Sequence, residues 1–161
     1  MLVMVTIDPL DARLIALLAE QPRIGLVEAA RTLSVARGTV QARLDKLQRS
    51  GVVTGFGPDI DVAALGYPVQ AFVSVQLVQG RLAEAIAVLS AMPEVLDAFG
   101  MTGTDDLLVR VATRDTVHLQ DLLGRILACE VVQRTSTHIA LTEQITYRVG
   151  PLVQLAAGLR S

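Results

Sequence analysis

The sequence predicts an α+β protein: a small helical domain followed by a βαββαβ unit of the ferredoxin-like kind. Three observations predict it. Gly25–Gly51 reads as two short amphipathic helices joined by a tight turn. From Val69 to Leu141, strand patterns and helix patterns alternate. Between these stretches Gly55, Gly57, Pro58 and Gly66-Tyr67-Pro68 interrupt every periodicity. The expected division is therefore a helical domain over 1–54, a linker over 55–68 and a second domain over 69–161.

The first helix starts at Asp8-Pro9. Asp8 can cap, Pro9 suits the first helical position, and Asp11 favours the helix dipole. Leu10, Leu14, Leu17 and Leu18 make its apolar stripe, which stops near Gln21-Pro22. In the helix pair that follows, Leu26, Ala29, Ala30 and Leu33 share one face, and Val40, Leu44 and Leu47 share another. Ser34-Val35-Ala36 is long enough only for a sharp corner. This is the helix-turn-helix pattern, whose second helix enters the DNA major groove. With Val40, Leu44 and Leu47 turned inward, the outward arc carries Gly38, Thr39, Ala42, Asp45, Lys46 and Arg49, flanked by Arg37, Gln41 and Arg43. Gly38 and Ala42 allow close approach to base edges, while Arg, Gln and Thr donate and accept hydrogen bonds. Arg37, Gly38, Thr39, Gln41, Ala42, Arg43 and Lys46 are the expected DNA contacts. An ordinary αα-corner with a solvated face is the bland alternative.

Charge supports the first reading by its distribution. The chain of 161 residues carries a net charge of −2. Met1–Gly51 nevertheless holds seven basic residues against five acids, whereas the remainder holds seven against eleven. A basic tip on an acidic body orients a protein on phosphate. Hydrophobic residues are 52% and charged residues 19%, with a mean hydropathy of +0.50. So apolar a chain has material for a core and for subunit contacts, which predicts self-association. Cys129 is the single cysteine, so no intrachain disulfide forms and a reducing, cytoplasmic setting is expected. No segment is long and apolar enough to span a membrane, and the opening MLVMVTI reads as a strand or arm.

After Gly51, a C-cap glycine, VVTGF reads as a short strand, the start of a wing or of the linker. Val69–Val78 is then a strand, Arg81–Met92 a helix, and Val95–Met101 and Leu107–Ala112 two strands around the loop TGTDD. Asp115 can cap a helix running through Cys129, and Val131–Leu141 is a last strand with Thr135 and Thr137 on one face. Pro151–Leu159 suits a short terminal helix.

In this order the segments resemble the leucine-responsive regulatory protein / AsnC family, also called feast/famine regulators. The resemblance rests on IDPLDARLIALLAEQPR, VQARLDKLQRSGVVTGF, Asp61, Leu65-Gly66, AFVSV, PEV, TGTDDLLVRV and VQRTSTHIAL, and covers Ile7 to Leu141. It implies a winged helix-turn-helix domain, then a ligand-sensing βαββαβ domain. It further implies dimers that assemble to larger species, often octamers, and transcriptional control in response to amino acids. The chain departs from the family at Ala36 and Gly25, where a capping Ser or Thr is common; a lost side-chain cap costs about 1 kcal/mol. In the loop, an acid and an aromatic are usual where Thr104 and Asp105 stand.

The loop chemistry can be argued directly. A free amino acid needs a carboxylate for its ammonium, which Asp105 or Asp106 can supply. It needs N–H donors for its own carboxylate, which a turn at Gly103-Thr104 can present. With Thr102, and with hydroxyls from Thr135 and Thr137, these residues make the expected effector site. An ordinary hairpin turn has the same composition. No catalytic motif, metal-ligand spacing or cofactor signature accompanies it, and His118 and His138 read as ordinary surface or core histidines. No enzyme activity, cofactor or metal is expected. The alternatives are a decarboxylase of haem precursors, which the architecture of some relatives resembles, and a DNA-architectural protein that senses nothing.

Overall fold

The computed structural model describes residues 6–159, so most of the expected N-terminal strand or arm lies outside the described residues. The described residues fall into two compact units. One runs to Pro58 and resumes at Ile145; the other is Asp59–Gln144.

The first unit contains α1 (Pro9–Glu20), α2 (Leu26–Leu33) and α3 (Arg37–Arg49). Asp8 caps α1, accepting from the Asp11 amide at 2.8 Å, and Asp11 returns the bond by accepting from the Asp8 amide at 3.3 Å. This reciprocal box satisfies two amide donors that a helix start otherwise leaves without partners. The corner between α2 and α3 turns on Ser34, whose φ of 57° is left-handed. Its sharpness comes from backbone bonds: the Ser34 and Val35 amides both return to the last turn of α2. Neither Gly25 nor Ala36 provides a side-chain cap, as expected from their side chains. Leu14, Leu17, Ala29, Ala30, Leu33, Val40 and Leu47 are buried together.

The unit ends in α6 (Gly150–Ala156), which corrects the expected boundary. A second domain over 69–161 would include this tail. Instead, Val153 and Ala157 pack against the apolar cluster of the three helices, and α6 lies on α1. A second correction concerns VVTGF, which forms bends and irregular chain with no strand. Its apolar content serves packing instead: Val53 is half-buried against the helical cluster.

The second unit is β1 (Val69–Leu77), α4 (Leu82–Ser90), β2 (Val95–Gly100), β3 (Leu107–Thr113), α5 (Thr116–Leu127) and β4 (Val132–Ile139). The sheet is antiparallel throughout in the order β2-β3-β1-β4, the ferredoxin-like arrangement expected. Alternation along β1 buries Ala71, Val73, Val75 and Leu77 against α4 and α5, together with Leu107, Val109, Val111, Leu119, Leu122 and Ile126. Phe72, Ser74 and Gln76 face the other way. On that uncovered face Phe72 stands beside Arg110, and Leu108 lies between Ser74 and Phe99. Phe72 and Phe99 are both exposed.

Candidate functional site

Two surfaces carry the residues singled out from the sequence. The first is the outer side of α3. Arg37, Gly38, Gln41, Ala42, Gln48 and Arg49 are exposed and Thr39 half-exposed, while Val40 and Leu47 are buried as the helical wheel requires. Gly38, Thr39, Ala42, Arg43 and Lys46 line a shallow groove together with Asp8. Gln41 donates to Asp45 at 2.7 Å along the helix. Arg37 and Arg49 have no side-chain partner among the described residues.

Two of the expected DNA contacts are engaged elsewhere. Arg43 Nη1 donates to Asp8 Oδ2 at 2.5 Å and to Asp11 Oδ1 at 2.8 Å. Lys46 Nζ donates to Asp11 Oδ2 at 3.0 Å and to the Thr6 carbonyl at 3.2 Å. Asp11 is fully buried. A carboxylate removed from water in this way is stable only when its oxygens are filled, and two cations plus the Asp8 amide fill them. Burial pushes the Asp11 carboxyl up, but the bonds from Lys46 and Arg43 outweigh it and hold it below the usual aspartate range. Arg43 likewise holds Asp8 down. The outward arc of the wheel is correct for backbone position. The long side chains of Arg43 and Lys46 bend back to acids more than thirty residues earlier, and so fix α3 on α1.

The second surface is the β2–β3 loop, Met101–Asp106. Gly103 has φ +113°, a conformation that a side chain resists, so the turn depends on glycine there. The loop is tied to β1 by Asp106. Its amide donates to the Val75 carbonyl at 2.9 Å, and its Oδ2 accepts from the Leu77 amide at 2.7 Å, where the register of β1 and β4 shifts. That oxygen ties the loop to β1, while the residue itself stays exposed. Asp105 is the acid turned to the opening. With Gln76, Thr104, Arg134, Thr135 and Ser136 it lines a cleft of about 290 Å³. Gln76 Nε2 donates to Asp105 Oδ1 at 3.3 Å. Arg134 and Asp105 form no ion pair among the described residues.

Of the seven loop and strand residues expected at this site, the cleft therefore brings together Thr104, Asp105 and Thr135. Thr102 and Gly103 shape the loop without lining the cleft. Thr137 is level with the fully buried Val73 and lies away from it. Sequence reasoning missed Arg134, Gln76 and Ser136. Their signal was the period-two pattern: Gln76 pairs with Arg134 and Ser74 with Ser136 across β1 and β4, on the uncovered face.

One polar cluster was not foreseen. Glu94 Oε1 accepts from His118 Nε2 at 3.0 Å and from Arg125, while His118 Nδ1 accepts from the Arg114 amide at 3.3 Å. Burial opposes ionisation of Glu94, yet the bonds from His118 and Arg125 hold its carboxyl below the usual range. Tyr67 tilts over the same imidazole, with ring centres 6.2 Å apart. His118 thus links Glu94, just before β2, to α5.

A helix-turn-helix unit joined to a ferredoxin-like domain with a polar cleft at its β2–β3 loop defines a class: DNA-binding transcription regulators with a ligand-binding domain. Residues 7–48 match the AsnC-type helix-turn-helix domain, and residues 70–149 match the Lrp/AsnC ligand binding domain. The chain belongs to the Lrp/AsnC family of transcription regulators. It is 31% identical to the HTH-type transcriptional regulator FL11 of Pyrococcus horikoshii over 85% of this chain and 91% of that protein. It is 30% identical to the regulatory protein AsnC of Escherichia coli over 90% of this chain and 97% of that one. The solved structure of E. coli AsnC superposes with a TM-score of 0.83 at 29% identity, covering 90% of this chain and 99% of that chain. The Mycobacterium tuberculosis leucine response regulatory protein gives 0.71 at 29% identity, covering 86% and 95%. No helix among the described residues is long and apolar enough to cross a membrane.

Proposed function

We propose that this chain binds specific sites on double-stranded DNA through α3 and that a small effector, an amino acid, modulates that binding from the cleft at the β2–β3 loop. The observation that carries the reading is the cleft itself: small, lined by polar residues, and holding a carboxylate and a guanidinium that form no ion pair with each other among the described residues. The name of the leucine response regulator supports an amino-acid effector by analogy. Arg37, Gly38, Thr39, Gln41, Ala42 and Arg49 are the proposed DNA contacts. The chain works in the cytoplasm as a regulator and not as an enzyme.

Self-association is part of the proposal. The uncovered face of the sheet presents Phe72, Leu108 and Phe99 around the Arg110–Asp97 ion pair of 2.5 Å. An exposed aromatic patch of this kind suits a dimer, with assembly to an octamer as the family resemblance implies. Light scattering of the full chain should give a dimer or larger species, and Phe99→Asp should reduce the mass. A wild-type monomer at micromolar concentration would remove the assembly proposal.

The experiment for the whole reading is a DNA-binding titration on the protein's own promoter region, with each amino acid added in turn. One amino acid should shift DNA affinity by roughly five- to 150-fold, the span typical of allosteric coupling. DNA affinity that no amino acid changes, from a protein that binds the promoter specifically, would reject the effector reading and favour an architectural role.

A further inference from the structure

We propose that α6 is a reversible clamp: docked on α1 it holds the helical unit in the form that binds DNA, and its release weakens that binding from a distance. The proposal rests on the DNA-binding reading above and adds a regulatory element to it. α6 begins at Gly150, where the match to the ligand binding domain ends.

The helix cannot stand alone. Isolated helices shorter than about 12–15 residues are marginal in water, and α6 has 7 residues. Its N-cap, Val149, offers no side-chain acceptor, and Gly150 is a poor helix former. α6 therefore forms because it docks, and the docking is shallow. Val153 and Ala157 are only half-buried against a cluster in which Leu14 and Leu47 are fully buried. Leu152 and Leu155 are 66% and 70% exposed. Few buried apolar contacts place an element at the low end of local stability. A helix that is ordered only when docked, and docked only weakly, has two states of similar free energy.

The chain around α6 lets it leave. Residues 141–148 lead to it from β4, all of them exposed, and among the described residues no backbone hydrogen bond engages them. Release then costs only the contacts on α1, and those contacts lead to the DNA-reading helix. Asp8 caps α1 and Asp11 lies in its first turn, and these are the two acids to which Arg43 and Lys46 of α3 are fastened. α6 steadies α1, and α1 orients α3 through this cluster. The outer side of α3 stays exposed while α6 is docked, so the docked form is the one that binds. α6 carries no charged residue, so its contribution is not a phosphate contact.

The test is hydrogen exchange of the full-length protein, with and without a duplex of its own promoter region. The Val153 and Ala157 amides, which close α6, should exchange about a hundredfold or more faster than amides in the middle of α1 and α3. The duplex should slow them by roughly fivefold or more, because linkage between docking and DNA binding is reciprocal. Val153→Ser, which keeps the rest of α6, should weaken promoter binding by roughly fivefold with an unchanged salt slope, in a chain that circular dichroism shows to be folded. Adding Val149→Asp to that variant gives α6 the N-terminal carboxylate it lacks and should recover part of the affinity. A merely structural α6 would exchange as slowly as α1 and α3, indifferent to DNA, and that result would overturn the clamp. Wild-type promoter affinity in folded Val153→Ser would overturn it as well, while leaving the DNA-binding reading intact. A wild-type chain that binds no promoter DNA would overturn both.

Discussion

Two polar clusters of this molecule bring carboxylates and cations together in opposite states. In the helical unit Asp8, Asp11, Arg43 and Lys46 are paired, and Asp11 is fully buried. In the sheet unit Asp105 and Arg134 line one cleft without pairing. Charge closed on itself fastens one helix to another. Charge left open is available to something outside the chain. On this basis Arg43 and Lys46 fasten α3 to α1, whereas Arg134, Asp105, Arg37 and Arg49 are the groups proposed for recognition.

The largest effect should come from breaking the closed cluster. Asp11→Ala removes the N-cap partner of Asp8 and leaves Arg43 and Lys46 without their shared acceptor. A loss of about 2–4 kcal/mol from the helical unit is expected in urea denaturation followed by circular dichroism. An effect below about 0.5 kcal/mol would mean that the cluster is decorative. The acid dependence has a definite sign. Asp8 and Asp11 both lie below their ordinary range in the folded chain, so their contribution is complete above about pH 4–5 and is lost as pH falls through the lowered values. Asp11→Asn should flatten that acid limb, measured as melting temperature against pH from 7 down to 2.

The open charges should show the reverse profile. Arg49→Ala and Arg37→Ala should leave the melting temperature within a degree or two and weaken DNA binding several-fold. If either variant melted far lower, that residue would belong with the closed cluster. The smallest effect lies at the corner between α2 and α3. Ser34 holds a left-handed conformation without help from its side chain, so Ser34→Gly should stabilise the helical unit by about 0.5–1 kcal/mol in the same urea assay.

The same contrast explains how far the sequence could be read. Periodicity located α1, α2 and α3 and every strand of the sheet to within a few residues, because each depends on neighbours three, four or two positions away. The N-cap at Asp8 was readable for the same reason. The fate of Arg43 was not, because its partners precede it by 35 and 32 residues and no local pattern announces them. Arg134 was hidden by a different cause. Its role depends on the register of β4 against β1, which brings it opposite Gln76 beside a loop thirty residues earlier in the chain. VVTGF misled because a β-branched run is compatible with a strand wherever a partner strand exists, and there the described chain provides none. The terminal helix was found, but its placement on α1 depends on Val153 and Ala157 meeting a distant cluster.

The most direct measurement is the salt dependence of DNA affinity for the wild type, Arg37→Ala, Arg49→Ala, Arg43→Met and Lys46→Met, taken under conditions where each is folded. Removing one cation from a phosphate lowers the slope of log K against log salt by about 0.9. Arg37→Ala and Arg49→Ala should each lower it by about that amount, while Arg43→Met and Lys46→Met should leave the slope unchanged and lower only the melting temperature. A slope that falls by about one in Arg43→Met or Lys46→Met, and stays constant in Arg37→Ala and Arg49→Ala, would contradict the division between closed and open charge.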